Sequence, residues 1–145
     1  MNAALQRLLS PAVPEPPAAT WSQGFRAGPE IFLSGMTAHP ATAQALEAGA
    51  PLDAHAQTLV VLRKLEALVV AAGGHRHNII KTVVYLTDVA DKDAVGRARR
   101  DFFAGHYPCA TLVGVQALAF PGLKVEIDAW ARLDLDLRQA QPLPS

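Results

Sequence analysis

Leu123-Lys124-Val125-Glu126-Ile127-Asp128-Ala129-Trp130-Ala131-Arg132-Leu133 alternates apolar and polar side chains at nearly every step. Successive side chains of a strand point to opposite faces, so this run predicts a β-strand over 123–133. Leu123, Val125, Ile127, Ala129 and Ala131 then face a core, and Lys124, Glu126, Asp128, Trp130 and Arg132 face away from it. Immediately upstream, Pro121-Gly122 is a turn, and residues 111–118 read as the strand before it.

Working further toward the N-terminus, Val95, Ala98 and Phe102 share one helical face, with Asp91 placed to cap the start and Gly105 at the end. Residues 79–86 are dense in Ile, Val, Thr and Tyr, which predicts a central strand. Before them Val61, Leu62, Leu65, Val69 and Ala72 recur at helical spacing behind an Asp53 cap, and Gly73-Gly74 stops the helix. Residues 36–51 show no steady period and read as a loop. Residues 21–33, broken at Ala27-Gly28-Pro29, read as a β-hairpin. The predicted order β-β-α-β-α-β-β gives an α/β (α+β) fold: a two-layer sandwich of one mixed sheet with two helices on one face. The opposite sheet face also needs cover, and with half of the 145 residues apolar, self-association is the economical way to supply it.

Composition narrows the function. The 13 Lys+Arg balance 13 Asp+Glu, which argues against a nucleic-acid partner because phosphate binding needs a basic surplus. No apolar run reaches the roughly 18 residues of a membrane span, and Pro11, Pro14, Pro16 and Pro17 break any signal-like core near the start. The single cysteine, Cys109, excludes an intrachain disulfide and fits a reducing compartment, so a cytoplasmic location is expected. The expected organisation is an extended N-terminal arm over 1–18, one domain over 19–137 and a disordered tail over 138–145.

Glu126 and Asp128 share a strand face about 7 Å apart along the chain, a spacing suited to acid/base work as well as to a solvated polar face. Trp130 beside them fits a subunit interface better than open water. His75 and His77 lack a third ligand nearby, so no metal is expected. Cys109 without an oxyanion hole or orienting partner reads as a small buried thiol rather than a nucleophile. Ser34-Gly35, at a strand end, is able to offer a backbone N–H and a hydroxyl to a ligand.

Several segments together resemble the RidA/YjgF family, also known as liver perchloric-acid-soluble protein. They are Trp21-Ser22-Gln23, Arg26-Ala27-Gly28, Ile31-Phe32-Leu33-Ser34-Gly35, Gln57-Thr58, Ala71-Ala72-Gly73, Lys81-Thr82-Val83-Val84-Tyr85-Leu86-Thr87-Asp88, Phe102-Phe103, His106-Tyr107-Pro108 and Val125-Glu126-Ile127-Asp128-Ala129. The resemblance implies a chorismate-mutase-like fold, a homotrimer with clefts between subunits, and hydrolysis of small reactive enamines and imines to the carbonyl compound and ammonia without a cofactor. It implies that Glu126 positions the attacking water, and that Trp21, Ser34, Gly35, Cys109, Ala110 and Thr111 line the substrate cleft.

The chain departs from the family where an arginine grips the substrate carboxylate. Pro108-Cys109-Ala110-Thr111 puts Ala110 there, and alanine offers nothing to a carboxylate. Trp21 also replaces a tyrosine, and Gly96 an asparagine. Three readings follow. Another arginine, such as Arg26 or Arg97, takes over the anchor; or the cleft takes an uncharged or differently shaped imine; or the trimer binds a small metabolite without turning it over. Ribonuclease activity is not expected at zero net charge without a His-His or His-Lys pair.

Overall fold

A computed structural model describes residues 4–144. Its six strands are β1 (Leu5–Arg7), β2 (Gly24–Ala27), β3 (Glu30–Thr37), β4 (Ile79–Leu86), β5 (Cys109–Gly114) and β6 (Val125–Arg132). The helices are α1 (Ala41–Glu47), α2 (Ala54–Ala71) and α3 (Lys92–Phe103). One mixed sheet runs in the order β1-β2-β3-β6-β4-β5, in which only β4 and β5 pair in parallel. The predicted two-layer arrangement of helices α2 and α3 on one sheet face is what forms.

The core lies between that face and the helices. Ile31, Leu33, Val84, Leu86, Val125, Ile127 and Ala129 meet Val61, Leu62, Leu65 and Val69 of α2, with Val95, Phe102 and Phe103 of α3 beside them. Burying each such Leu, Val or Phe stabilises the fold by about 1.5–3 kcal/mol before entropy is counted. Helix α2 starts where expected, since the Asp53 carboxylate accepts the Ala56 N–H at 2.8 Å. Glu66 of α2 binds the Arg76 guanidinium, which lies 4.1 Å over the Phe102 ring and donates to the Phe102 carbonyl at 2.6 Å. This joins the two helices.

Several expectations shift. The N-terminal arm is part of the domain: β1 adds to β2 before the first proline, and Leu8 and Val13 enter the core. Residues 1–3 of that arm and residue 145 of the tail lie outside the described residues. Of the rest of the tail, Arg138 and Gln139 complete a single 3-10 turn, Leu137–Gln139, that begins at the last residue of the expected domain. The expected loop over 36–51 contains helix α1 and the end of β3. The strand expected over 111–118 is Cys109–Gly114, because β4 offers partners in parallel only to those six residues before the chain leaves after one more bond, Val115 N–H to the Leu86 carbonyl at 2.8 Å. Strand β6 begins at Val125; Leu123 and Lys124 lie between the Pro121-Gly122 turn and the strand, outside regular structure. Asp91 makes no side-chain cap; Asp88 instead accepts the Ala90 N–H at 2.9 Å and starts a 3-10 turn leading into α3. Among the described residues no helix is long and apolar enough to cross a membrane.

Candidate active site

The sheet face away from the helices carries the candidate residues Glu126, Asp128, Cys109 and Thr111. Register fixes its rows: Val113, Tyr85 and Glu126 lie abreast, as do Thr111, Val83 and Asp128, and Cys109, Lys81, Trp130 and Phe32. Phe32 and Trp130 are both about two-fifths exposed on this face.

A bulge in β3 shapes the centre of the face. Leu33 pairs with Ala129 and Met36 with Ile127, so Ser34 and Gly35 together oppose the single residue Asp128. The Asp128 and Glu126 carboxyl groups then fold over Gly35. A Cβ at position 35 would lie 2.7 Å from Asp128 Oδ1 and 3.1 Å from Glu126 Cδ. Glycine leaves the space that the two carboxyl groups occupy, and any side chain at this position has to push them aside.

The bulge is held from below by Ser34. Its N–H donates to the Gln23 carbonyl at 2.9 Å and its hydroxyl to the Ser22 carbonyl. This corrects the expectation that Ser34 offers these groups to a ligand: both are already bonded. The same bonds bring the Trp21-Ser22 segment beside the bulge, and Trp21 itself is exposed.

Partial burial, followed by the neighbouring Asp128 carboxylate, pushes the Glu126 carboxyl above its ordinary value of 4.5. The Tyr85 hydroxyl donates to Asp128 Oδ2 at 3.0 Å, and that bond raises the phenol above its usual range. Glu126 thus sits in a partly dry site with its proton affinity moved toward neutrality, which suits a group that takes a proton from water and later returns it.

The remaining cleft residues divide. Cys109 and Thr111 share the open face with Glu126, though Thr111 Oγ1 accepts from Lys81 Nζ at 2.9 Å. Cys109 is exposed, which corrects the expected buried thiol: the edge strand β5 has no neighbour to cover it. Ala110 pairs with the buried Thr82 and so points to the helix side, where it lines a groove of about 380 Å³ with Gly96, Arg99, Arg100, Tyr107 and Pro108. It stands three residues along β5 and two strands across from Glu126, roughly 14 Å by strand spacing and rise, and on the opposite face. No small molecule touches both within one chain.

Of the two arginines considered as substitutes, Arg26 is committed to the carbonyls of Gly28 at 3.0 Å and Ala72 at 2.8 Å. Arg97 is exposed and lines a neighbouring depression with Lys92, Asp93 and Leu112, not the groove that holds Ala110. His77 lies between His75 and His106, at ring distances of 6.1 and 6.0 Å. Among the described residues no three His, Cys, Asp or Glu side chains converge to hold a metal. Sequence reasoning missed the positioning role of Gln57, which is buried and bonded to two backbone groups beside the turn before β6, Gly122 and Lys124, and to the Leu52 carbonyl before α2. The signal available was a glutamine set among the apolar positions of an amphipathic helix.

Comparison with known proteins agrees with this architecture. Residues 13–133 match the family described as Endoribonuclease L-PSP. A human protein named 2-iminobutanoate/2-iminopropanoate deaminase is 26% identical over 132 residues, covering 90% of this chain and 93% of that protein. A crystal structure of a protein of unknown function from Pseudomonas aeruginosa is 57% identical with a TM-score of 0.93, covering 96% of this chain and 99% of that one. A Mycobacterium tuberculosis structure, described as a member of the YjgF/YER057c/UK114 family, is 29% identical with a TM-score of 0.73 over 89% of this chain and 99% of that chain. With the bulge, the sheet order and the Glu126 strand in place, the chain belongs to the Endoribonuclease L-PSP family, the group also called YjgF or RidA.

Proposed function

We propose that the protein is a RidA-like hydrolytic deaminase that converts a small reactive enamine or imine to the carbonyl compound and ammonia, with a specificity changed by Ala110. The observation that carries this reading is the pair of carboxyl groups folded over Gly35, with the proton affinity of Glu126 raised. Ionised Glu126 takes a proton from a water molecule as the water oxygen bonds to the imine carbon and the C=N electron pair moves to nitrogen, and it passes that proton to the nitrogen to give the carbinolamine. Glu126 then takes the hydroxyl proton as the C=O bond forms and delivers it to the departing amine, which leaves as ammonia. An enamine enters by first taking a proton on carbon. No cofactor is needed for this sequence.

The cleft is completed between copies of the chain. Glu126 and Ala110 lie too far apart, and on opposite faces, to serve one ligand within a single copy. The half-exposed Phe32 and Trp130 support association through the open face, and the family resemblance favours a homotrimer. A cytoplasmic location fits the free, exposed Cys109.

Ammonia and carbonyl release from freshly generated 2-aminoacrylate and from an uncharged imine tests the reading. Glu126→Gln keeps the shape and loses the base, so turnover should fall at least a hundredfold with the assembly intact. Undiminished turnover removes Glu126 from the mechanism. Trp130→Lys should break the assembly and abolish activity together, and a wild-type monomer at micromolar concentration overturns any cleft between copies. A second reading, a trimer that binds a small metabolite without turnover, draws on the alanine at the anchor position. It predicts no release of product but a raised Tm with a bound metabolite.

A further inference from the structure

The groove beside Ala110 is lined by the small Gly96 and Ala110, by Tyr107 and Pro108, and by the two cations Arg99 and Arg100. Gly96 of α3 and Ala110 of β5 leave its walls open, and a Cβ at Gly96 would meet nothing within 4 Å. Gly96, Arg99 and Arg100 are three and four residues apart and share a helix face, so both guanidiniums flank the space that the two small residues leave.

The other arginines are either bonded or exposed: Arg26 holds two carbonyls, and Arg63, Arg97 and Arg100 are exposed. Arg7, Arg76, Arg132 and Arg138 each hold a carboxylate. Arg99 has neither an ion pair nor a hydrogen bond among the described residues, although it is half-buried in the groove wall. Removing a cation from water without a partner is unfavourable, and an anion seated against it recovers that cost. The same burial draws the Arg99 guanidinium below its ordinary value. Its planar fork suits two-point binding of a carboxylate.

We infer that Arg99 is the anion anchor of this cleft, gripping the carboxylate of a small 2-imino or 2-oxo acid from the α3 side in the space opened by Ala110 and Gly96. The anchor has moved from strand to helix. This rests on the deaminase reading for the identity of the ligand, while binding itself does not require turnover.

Pyruvate serves as the charged probe and pyruvamide as its neutral counterpart, with affinities measured by NMR titration of the intact protein. Wild type should bind pyruvate at least tenfold more tightly than pyruvamide. Arg99→Met should erase that preference, Arg99→Lys should restore part of it, and circular dichroism should show all variants folded. Arg100→Met, at the more exposed neighbour, should change pyruvate affinity less than threefold. Equal binding of pyruvate by wild type and Arg99→Met, or no preference for pyruvate in wild type, overturns the inference. If the preference depends on Arg99 but no imine is hydrolysed, the anchor stands and the deaminase reading fails. If imines are hydrolysed with KM unchanged in Arg99→Met, the anchor fails and the deaminase reading stands.

Discussion

Replacing Gln57 by Met keeps the side chain's length and approximate volume but deletes three hydrogen bonds, two of them at the base of strand β6 and one to the segment before α2. Gln57 Nε2 donates to the carbonyls of Leu52 and Gly122, both at 2.9 Å, and its Oε1 accepts the Lys124 N–H at 2.8 Å. Lys124 lies two residues before Glu126, so these bonds tie the start of β6 to helix α2. A net value of about 1 kcal/mol for each bond gives a loss of about 3 kcal/mol, more if the Lys124 N–H stays dry. For a chain of this size that corresponds to a Tm decrease of about 10 °C. Urea unfolding followed by circular dichroism at one fixed protein concentration measures it, with an unchanged m-value expected. Gln57→Glu provides an internal control. It keeps the acceptor for Lys124 but turns a carboxylate toward two carbonyls, so its deficit against wild type should be larger at pH 7 than at pH 4, where protonation returns one donor. A loss below about 1 kcal/mol for Gln57→Met would refute the claim that this side chain secures the turn.

Three further outcomes follow from the geometry. Gly35→Ala forces the carboxyl groups of Asp128 and Glu126 aside, and a displacement approaching 1 Å should cut turnover about 10- to 100-fold while the protein stays folded; full activity in this variant argues against a shared site over the bulge. The folded state holds the Glu126 proton more tightly than an ordinary carboxyl, so its stabilising effect is complete below about pH 4.5 and is lost as pH rises through the folded value. Glu126→Gln should therefore show little gain in Tm over wild type at pH 4 and a gain that grows to a plateau toward pH 8; a pH-independent difference contradicts the raised proton affinity. Arg76→Met removes the Glu66 pair, the bond to the Phe102 carbonyl and the stacking on its ring, and should cost about 2 kcal/mol in chemical denaturation.

Local signals were enough for the elements whose own residues repeat a simple period. The alternation through Val125–Arg132 identified a strand with one core face, and the spacing of Val61, Leu62, Leu65 and Val69 identified the long helix with its Asp53 cap. Both patterns arise from backbone geometry alone, so they survive without knowledge of neighbours. The same alternation put Glu126, Asp128 and Trp130 on one face before any pairing was known.

Pairing and register were decided only in three dimensions. Leu5–Arg7 has no strand pattern of its own and becomes a strand because β2 offers it an edge. The insertion of β6 between β3 and β4 joins segments far apart in sequence, and with it comes the bulge that sets Gly35 under two carboxyl groups. The family resemblance puts Ala110 where an anchoring arginine is expected, and its pairing with Thr82 turns it toward helix α3, away from Glu126 and into the groove lined by Arg99. A one-residue step along a strand reverses the face, and which residue meets which is a property of the partner strand. The sequence by itself determined which groups are available for chemistry; the tertiary structure decided which of them meet, because long-range register has no local signature.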